Sequence, residues 1–444
     1  MFKDSKIFIL GMARSGYEVA KYLSRYNNEI LIVDAKEQEN DKVKELENLG
    51  VKVIIDSDAS KYLNETYKVM IKNPGVKYTH DAVVKANNLN IPVVNEVEVA
   101  SYFFPEGLSI VGITGSNGKT TTTNLIYEIL KASGKKVIMA GNMGIPVCGT
   151  LDKLDSNTIL VLEISVQQLC NMKHFKTNVS VLTNLSPTHI DFVDSYENYL
   201  NIKKKIFNNH TNKDLAIINL EDKDSMDITK DINSTKVYFS SKKDSDLCIR
   251  DNAIYYHDEL IINISDIKLK GMHNYENIMC AIGATKYFNV SNESIINVLS
   301  KFNGVEHRLE YVRSINNIVF YNDSKATNTV STRIALDSFK EPTILIMGGL
   351  DRGHSFEPLN YALKHTKLIV CYGQTKERIK DWATSLNIPV KVVDNLSEAT
   401  NYAYEQAVPN DVVLLSPACA SWDQYKCFED RGTEFKNIVN GFKE

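Results

Sequence analysis

The 444-residue chain has no long apolar run, no excess of basic residues and no paired-cysteine motif. The apolar stretch at residues 7–10 ends at Gly11, short of the roughly 20 apolar residues that span a bilayer and too short for a signal peptide. A net charge of −4 leaves no cationic footprint for nucleic acid or an anionic membrane surface. The seven cysteines are odd in number and none lies in a CxxC pair, which points to reduced thiols in a cytoplasmic protein. Cys419 and Cys427 invite a nucleophile reading, but a free cysteine more often packs as a small buried hydrophobe. No internal repeat or low-complexity segment is present.

What the chain does carry is the run Val111-Gly-Ile-Thr-Gly-Ser-Asn-Gly-Lys-Thr-Thr-Thr122. It follows an apolar stretch, residues 108–113, that reads as a buried strand. It opens a segment whose Leu125, Ile126, Ile129 and Leu130 recur at helical spacing before Gly134. A strand, a glycine turn and a helix N-terminus aim backbone N–H groups and the positive helix end at phosphate oxygens. Gly115, Ser116, Asn117, Gly118, Lys119, Thr120 and Thr121 therefore read as a nucleoside-triphosphate loop. Lys119 would reach the β- and γ-phosphates and the Thr120 hydroxyl would ligate Mg²⁺. The usual G-x-x-x-x-G-K-[ST] pattern would put its first glycine at position 113; this chain has Ile113 there, with Gly112 and Gly115 around it.

Strands alternate with helical patterns in three blocks, which predicts an α/β protein of three domains with mostly parallel sheets. Residues 1–103 read as a Rossmann-like domain, with strands at 6–10, 29–33, 51–55 and 69–72 and another beginning near 91. Residues 104–304 read as the central phosphate-loop domain, with strands near 108–114, 136–140, 158–163, 178–184 and 215–219. Its polar stretch at 221–270 is expected to form a small β excursion. Residues 305–444 read as a second Rossmann-like domain, with strands near 317–322, 342–347, 367–372, 390–394 and 411–416. Each block is expected to have its own core.

Glu163 ends an apolar strand, so its carboxylate emerges where a nucleotide-bound Mg²⁺ finds an acidic partner; a solvated strand-end glutamate is the plainer alternative. His189 lies just past another strand, near Asp191, and suits either a metal or a loop cap. Lys203, Lys204 and Lys205 follow on a helical pattern with Tyr199, Ile202 and Ile206. Asn274 and Asn277 stand one helical turn apart, placed to face a base or ribose together, with helix capping by Asn274 as the competing reading. Arg308, at the next junction, suits a transferring phosphoryl group. Three strands of the last block release polar loops, residues 322–328, 348–353 and 416–423, expected to converge on a ligand with charged ends.

Together these pieces resemble the Mur ligases of peptidoglycan synthesis over nearly the whole chain. The resemblance is carried by Thr114-Gly-Ser-Asn-Gly-Lys-Thr-Thr121, Glu163-Ile-Ser165, His189, Tyr199 to Lys203, His273-Asn-x-x-Asn277, His307-Arg308 and Asn322-Asp-Ser-Lys325. Leu415-Ser-Pro-Ala-Cys-Ala-Ser421 with Phe428-Glu-Asp-Arg-Gly432 is similar to the family's D-glutamate-adding members, and Gly11-x-Ala-x-x-Gly16 with Asp34 agrees. The resemblance implies a monomeric cytoplasmic ligase using ATP, UDP-MurNAc-L-Ala and D-glutamate, with no nucleic-acid or membrane partner. ATP would phosphorylate the carboxylate, the D-glutamate amine would attack the acyl phosphate, and a tetrahedral intermediate would collapse to amide and phosphate.

Residue by residue, the resemblance implies that Lys119 holds the β/γ-phosphates while Thr120 and Glu163 bind a first Mg²⁺. His189 would bind a second Mg²⁺, and Lys203 matches the family's carbamylated lysine, with Lys204 as the alternative. Asn277 would meet adenosine, Arg308 and Asp323 the nucleotide phosphates and ribose, and Lys325 the acyl phosphate. Ser15, Asp34, Gly75 and Asn142 match UDP-substrate contacts. Thr327, Arg352, Ser421 and Phe428 would hold D-glutamate. Arg352 stands where lysine is usual, and Trp422 where a smaller aliphatic residue is usual. The alternatives are siblings adding L-alanine, a diamino acid or D-Ala-D-Ala, and folylpolyglutamate synthase. The chain lacks an Asp-Asn-Pro-Arg signature for meso-diaminopimelate, and its N-terminal domain disfavours folylpolyglutamate synthase. A small-molecule kinase would need no amine, and an NAD-dependent oxidoreductase would leave the phosphate loop unexplained.

Overall fold

The alternation read from the sequence is realised as three sheets. The computed structural model describes residues 1–188 and 190–443. The first sheet contains β1 (Lys6–Leu10), β2 (Glu29–Asp34), β3 (Lys52–Ile55), β4 (Val69–Lys72) and β5 (Val93–Val94), all parallel in the order β3-β2-β1-β4-β5. Its side chains alternate between two buried faces: Ile7, Ile9, Ile30 and Ile32 on one, Phe8, Leu10, Leu31 and Val33 on the other. That two-sided burial is why these strands are apolar throughout. The strand order reverses at β1, so the turns after β1, β2 and β4 open onto one edge.

The second sheet contains β6 (Ser109–Thr114), β7 (Val137–Gly141), β8 (Ile159–Glu163), β9 (Val179–Leu182), β10 (Leu215–Asn219), β11 (Thr235–Ser240), β12 (Leu247–Arg250), β13 (Ala253–Tyr256) and β14 (Glu259–Asn263). The order is β14-β13-β12-β11-β10-β9-β6-β8-β7. β6 to β12 run parallel, and β12, β13 and β14 close the far side as an antiparallel meander. This meander is the excursion expected between 221 and 270. The helix Lys119–Ala132 packs Leu125, Ile126, Ile129 and Leu130 into the core, each contributing roughly 1.5–3 kcal/mol of burial.

The third sheet contains β15 (Glu310–Ile315), β16 (Ile318–Asn322), β17 (Thr343–Gly348), β18 (Thr366–Tyr372), β19 (Val390–Val392) and β20 (Val412–Leu415), in the order β15-β16-β20-β17-β18-β19. Only β15 is antiparallel to its neighbour. The sequence reading missed β15, because Glu310 and Arg313 interrupt its apolar pattern and a bulge between Tyr311 and Arg313 shifts the alternation.

The chain divides into two compact units, Met1–Phe302 and Asn303–Glu444. Within the first unit each sheet has a core of its own on one face, around Phe8, Leu31 and Met70 for the first and Val111, Ile126 and Ile217 for the second, but the other faces share one. One hydrophobic cluster runs from Ile9, Val19 and Val97 beside the first sheet to Leu160, Leu182 and Tyr199 beside the second. Among the described residues, no helix is long and apolar enough to cross a membrane.

Candidate active site

The phosphate loop leaves β6 at the centre of the second sheet, with β8 on one side and β9 on the other. Gly118, at φ +81°, starts the helix in a left-handed conformation, and a Cβ there would lie 2.2 Å from Asn277 Oδ1. Gly115, at φ +145°, leaves no room for a side chain against the Thr183 hydroxyl, 2.0 Å from where a Cβ would sit. Both positions need glycine on two grounds, backbone angle and space. Lys119 Nζ donates to the carbonyls of Gly115 at 2.8 Å and Ser116 at 2.7 Å, so its ammonium lies over the loop. The Thr183 hydroxyl donates to the Asn117 carbonyl at 2.6 Å, and Asn184 Oδ1 accepts from Asn117 N–H at 3.0 Å. Thr121 follows on the first helical turn.

β6 and β8 pair with Ile113 opposite Glu163, which brings that carboxylate beside the loop. Thr120 Oγ1 donates to Glu163 Oε2 at 2.7 Å, and Asn142 Nδ2 donates to Glu163 Oε1 at 2.7 Å. A hydroxyl and a carboxylate at the start of a phosphate-binding helix are hard oxygen donors, the set that suits Mg²⁺, which usually takes few protein ligands and completes its octahedron with phosphates and water. His189 lies outside the described residues.

Lys203, 1% exposed on the helix Tyr196–Lys204, donates from Nζ to Thr114 Oγ1 at 2.8 Å and to the Gly115 carbonyl at 3.0 Å. Burial, reinforced by the positive charge of Lys119, holds its pKa well below the usual lysine value. Lys204 instead points outward to an ion pair with Asp231 at 2.7 Å. Tyr199 shares a hydrogen bond with the Ser116 hydroxyl at 2.8 Å. Asn277 is buried against Gly118 and accepts from the Thr122 hydroxyl at 3.3 Å. Asn274 turns away, donating to the Lys270 carbonyl at 2.8 Å. The two amides therefore do not share a face, and Gly271, not Asn274, caps the helix.

In the first sheet, Asp34 ends β2 and accepts from Met12 N–H at 2.7 Å and Lys36 N–H at 2.9 Å. Ser15 stands on the first turn of the helix Arg14–Leu23 after β1, and Gly75 lies in the turn after β4. The described contacts of Asn142 place it with Glu163 on the second sheet.

In the second unit, β16, β20 and β17 are adjacent, so the loops at 322–328, 416–423 and 348–353 leave neighbouring strand ends. Asp323 is buried, accepting from Ser416 Oγ at 2.7 Å and Leu309 N–H at 3.2 Å. Burial raises its carboxyl to about 7 despite the opposing charge of Arg308. Lys325 Nζ lies 5.7 Å from the Phe428 ring centroid. The second and third loops pair through Leu350 N–H and the Ala420 carbonyl at 2.9 Å, and the Arg352 guanidinium stacks 4.8 Å from the Trp422 ring. Ser421 is buried in the same loop, whereas Thr327 lies further along the first.

In the sequence Arg431 stands out only as part of the motif Phe428-Glu-Asp-Arg-Gly432. It is fully buried and donates to Ser324 Oγ at 3.0 Å, the Ser324 carbonyl at 2.8 Å and the Cys419 carbonyl at 3.1 Å. With the Gly348 carbonyl also accepting from it at 3.5 Å, one guanidinium ties all three loops to the helix Phe428–Gly441. Its signal was an arginine on a helix face otherwise built from Gly432, Phe435 and Val439.

Three α/β sheets, with a phosphate loop and an acidic partner at the carboxyl edge of the central one, define a multidomain nucleoside-triphosphate enzyme. Comparison with known proteins narrows this. The N-terminal domain model of the MurD-like Mur ligases matches residues 5–95, the Mur ligase middle domain 113–285, and the Mur ligase glutamate ligase domain 307–419. A UDP-N-acetylmuramoylalanine--D-glutamate ligase of Geobacillus kaustophilus is 42% identical over 447 residues, covering 100% of this chain and 99% of its own. One from Bacillus cereus is 40% identical over 443 residues, covering 99% of this chain and 98% of its own. Among solved structures, the UDP-N-acetylmuramate-alanine ligase MurC of Thermotoga maritima superposes with a TM-score of 0.60 at 19% identity, covering 99% of this chain and 100% of its own. The chain belongs to the Mur ligase family.

Proposed function

We propose that this protein is the ligase that adds D-glutamate to UDP-N-acetylmuramoyl-L-alanine, using ATP and releasing ADP and phosphate in the cytoplasm. The observation that carries this reading is end-to-end similarity, at 42% identity, to a relative bearing that name. A carboxylate is a poor electrophile until one oxygen becomes a phosphate leaving group. ATP therefore phosphorylates the L-alanyl carboxylate, the D-glutamate amine attacks the acyl phosphate, and the tetrahedral intermediate expels phosphate as the amide forms. Such sites act chiefly by positioning anions and neutralising charge.

In this reading residues 1–103 hold the UDP moiety through Ser15, Asp34 and Gly75, with Asn142 contributed by the central domain. Residues 104–304 hold ATP on the loop from Gly115 to Thr121, and Asn277 meets the adenosine. Lys119 exchanges its loop carbonyls for the β- and γ-phosphate oxygens. Residues 305–444 supply Arg308 and Asp323 to the nucleotide, Lys325 to the acyl phosphate, and Thr327, Arg352, Ser421 and Phe428 to D-glutamate. Thr120 and Glu163 would hold one Mg²⁺, and His189 a second. When bound, the metal offsets negative charge on the phosphoryl oxygens. Support for carbamylation of Lys203 comes from its burial and lowered pKa, which favour the neutral amine that reacts with CO₂. The active species is a monomer.

Phosphate release that requires both UDP-MurNAc-L-Ala and D-glutamate is the expected result. Equal turnover with L-glutamate, L-alanine or a diamino acid defeats the specificity, and cleavage of ATP to AMP and pyrophosphate defeats the mechanism.

A further inference from the structure

Lys72, the last residue of β4, is fully buried, and no role described above uses it. Its Nζ donates to the Val76 carbonyl at 2.7 Å, with the Asn73 and Pro74 carbonyls at 3.3 and 3.4 Å. These three carbonyls belong to the turn that contains Gly75. The ammonium also lies 5.5 Å from the Tyr78 ring centroid and 5.6 Å from that of Phe192. The two rings stand 6.0 Å apart. Tyr78 follows the turn, whereas Phe192 belongs to the helical turn Ile190–Val193, directly after position 189 and more than a hundred residues further along the chain.

An aliphatic side chain would fill this volume without the desolvation that burying an ammonium entails. The lysine provides what an aliphatic chain lacks: three donors in one place and a charge attracted to both ring faces. Desolvation lowers its pKa to about 8, in keeping with an enclosed group.

We propose that Lys72 is a positioning residue for the nucleotide-sugar substrate, shaping the 73–76 turn and linking it through Phe192 to the segment that follows His189. The inference rests on Gly75 being a UDP-substrate contact.

Lys72→Met preserves length and bulk while removing the donors. Steady-state phosphate release should show the KM for UDP-MurNAc-L-Ala raised roughly tenfold, with the KM values for ATP and D-glutamate within about twofold of wild type. An unchanged KM for the nucleotide-sugar, or an equal rise for all three substrates, overturns the proposal. If Lys72→Met fails to fold, Phe192→Leu and Tyr78→Leu each remove one ring and should raise the same KM selectively; a change in kcat alone refutes it. If wild type binds UDP-MurNAc-L-Ala without turning it over, the ligase reading fails. Titration calorimetry of that ligand then decides the Lys72 proposal, which expects weaker binding by Lys72→Met and falls if the affinities match.

Discussion

The Thr120 hydroxyl, on the first turn of the helix after the phosphate loop, meets the Glu163 carboxylate at the end of β8 at 2.7 Å. Sheet register sets Glu163 opposite Ile113, and the loop that follows β6 brings Thr120 to it. Glu163→Gln keeps the shape and removes the charge. Phosphate release should fall by about 100-fold or more and need higher Mg²⁺, checked by titrating the metal at saturating substrates. Wild-type Mg²⁺ dependence in the variant would take Glu163 out of the site.

Lys203 and Lys204 are neighbours in sequence but opposite in environment, one buried on Thr114 and Gly115, the other paired with Asp231 at the surface. Lys203→Ala should be nearly inactive and partly rescued by small carboxylates such as formate, while Lys204→Ala keeps activity within about twofold, as a surface pair predicts. Full activity in Lys203→Ala would remove that residue from the mechanism.

Asp323 supplies a pH signature. Its pKa is raised to about 7 in the fold, from the ordinary 3.8 of an aspartate, because burial disfavours the carboxylate. The folded state then binds a proton that the unfolded chain has released, so stability falls as pH rises from about 4 to about 7. Asp323→Asn mimics the protonated acid and should lack this loss. Thermal melts from pH 4 to 8 should show the variant gaining on wild type as pH increases; parallel curves would contradict it.

Arg352 stacks on Trp422, which is 64% exposed. Under the proposed function, the ring would hold the guanidinium in place for a bidentate grip on the D-glutamate carboxylate. Trp422→Ala should raise the KM for D-glutamate about 2- to 5-fold, the range of an exposed cation–π contact, with kcat little changed. In a double-mutant cycle Trp422→Ala should add nothing once Arg352 is already alanine; additive effects would separate the two residues.

The sequence made legible whatever is local. Leu125, Ile126, Ile129 and Leu130 are all buried as their spacing predicted, and the strand before Lys119 and the polar loops of the last block lie at carboxyl edges. It did not reveal β15, whose partner strand rather than its own pattern makes it a strand. Nor did it reveal Lys72 and Arg431, because all but one of their acceptors are backbone carbonyls, which carry no residue identity to read. The shared core of the first two sheets was equally hidden, since apolar periodicity says which face is buried and not against what.

All seven cysteines are free, and surrounding protein raises the pKa of every one above its ordinary value, with Cys419 pushed up to about 11 and Cys371 to about 12. Since the sulfur anion is the species that reacts, these shifts slow alkylation and oxidation of the thiols at neutral pH. Because burial is what holds the thiols protonated, alkylation of the native protein should be slow and should quicken once unfolding returns the sulfurs to water.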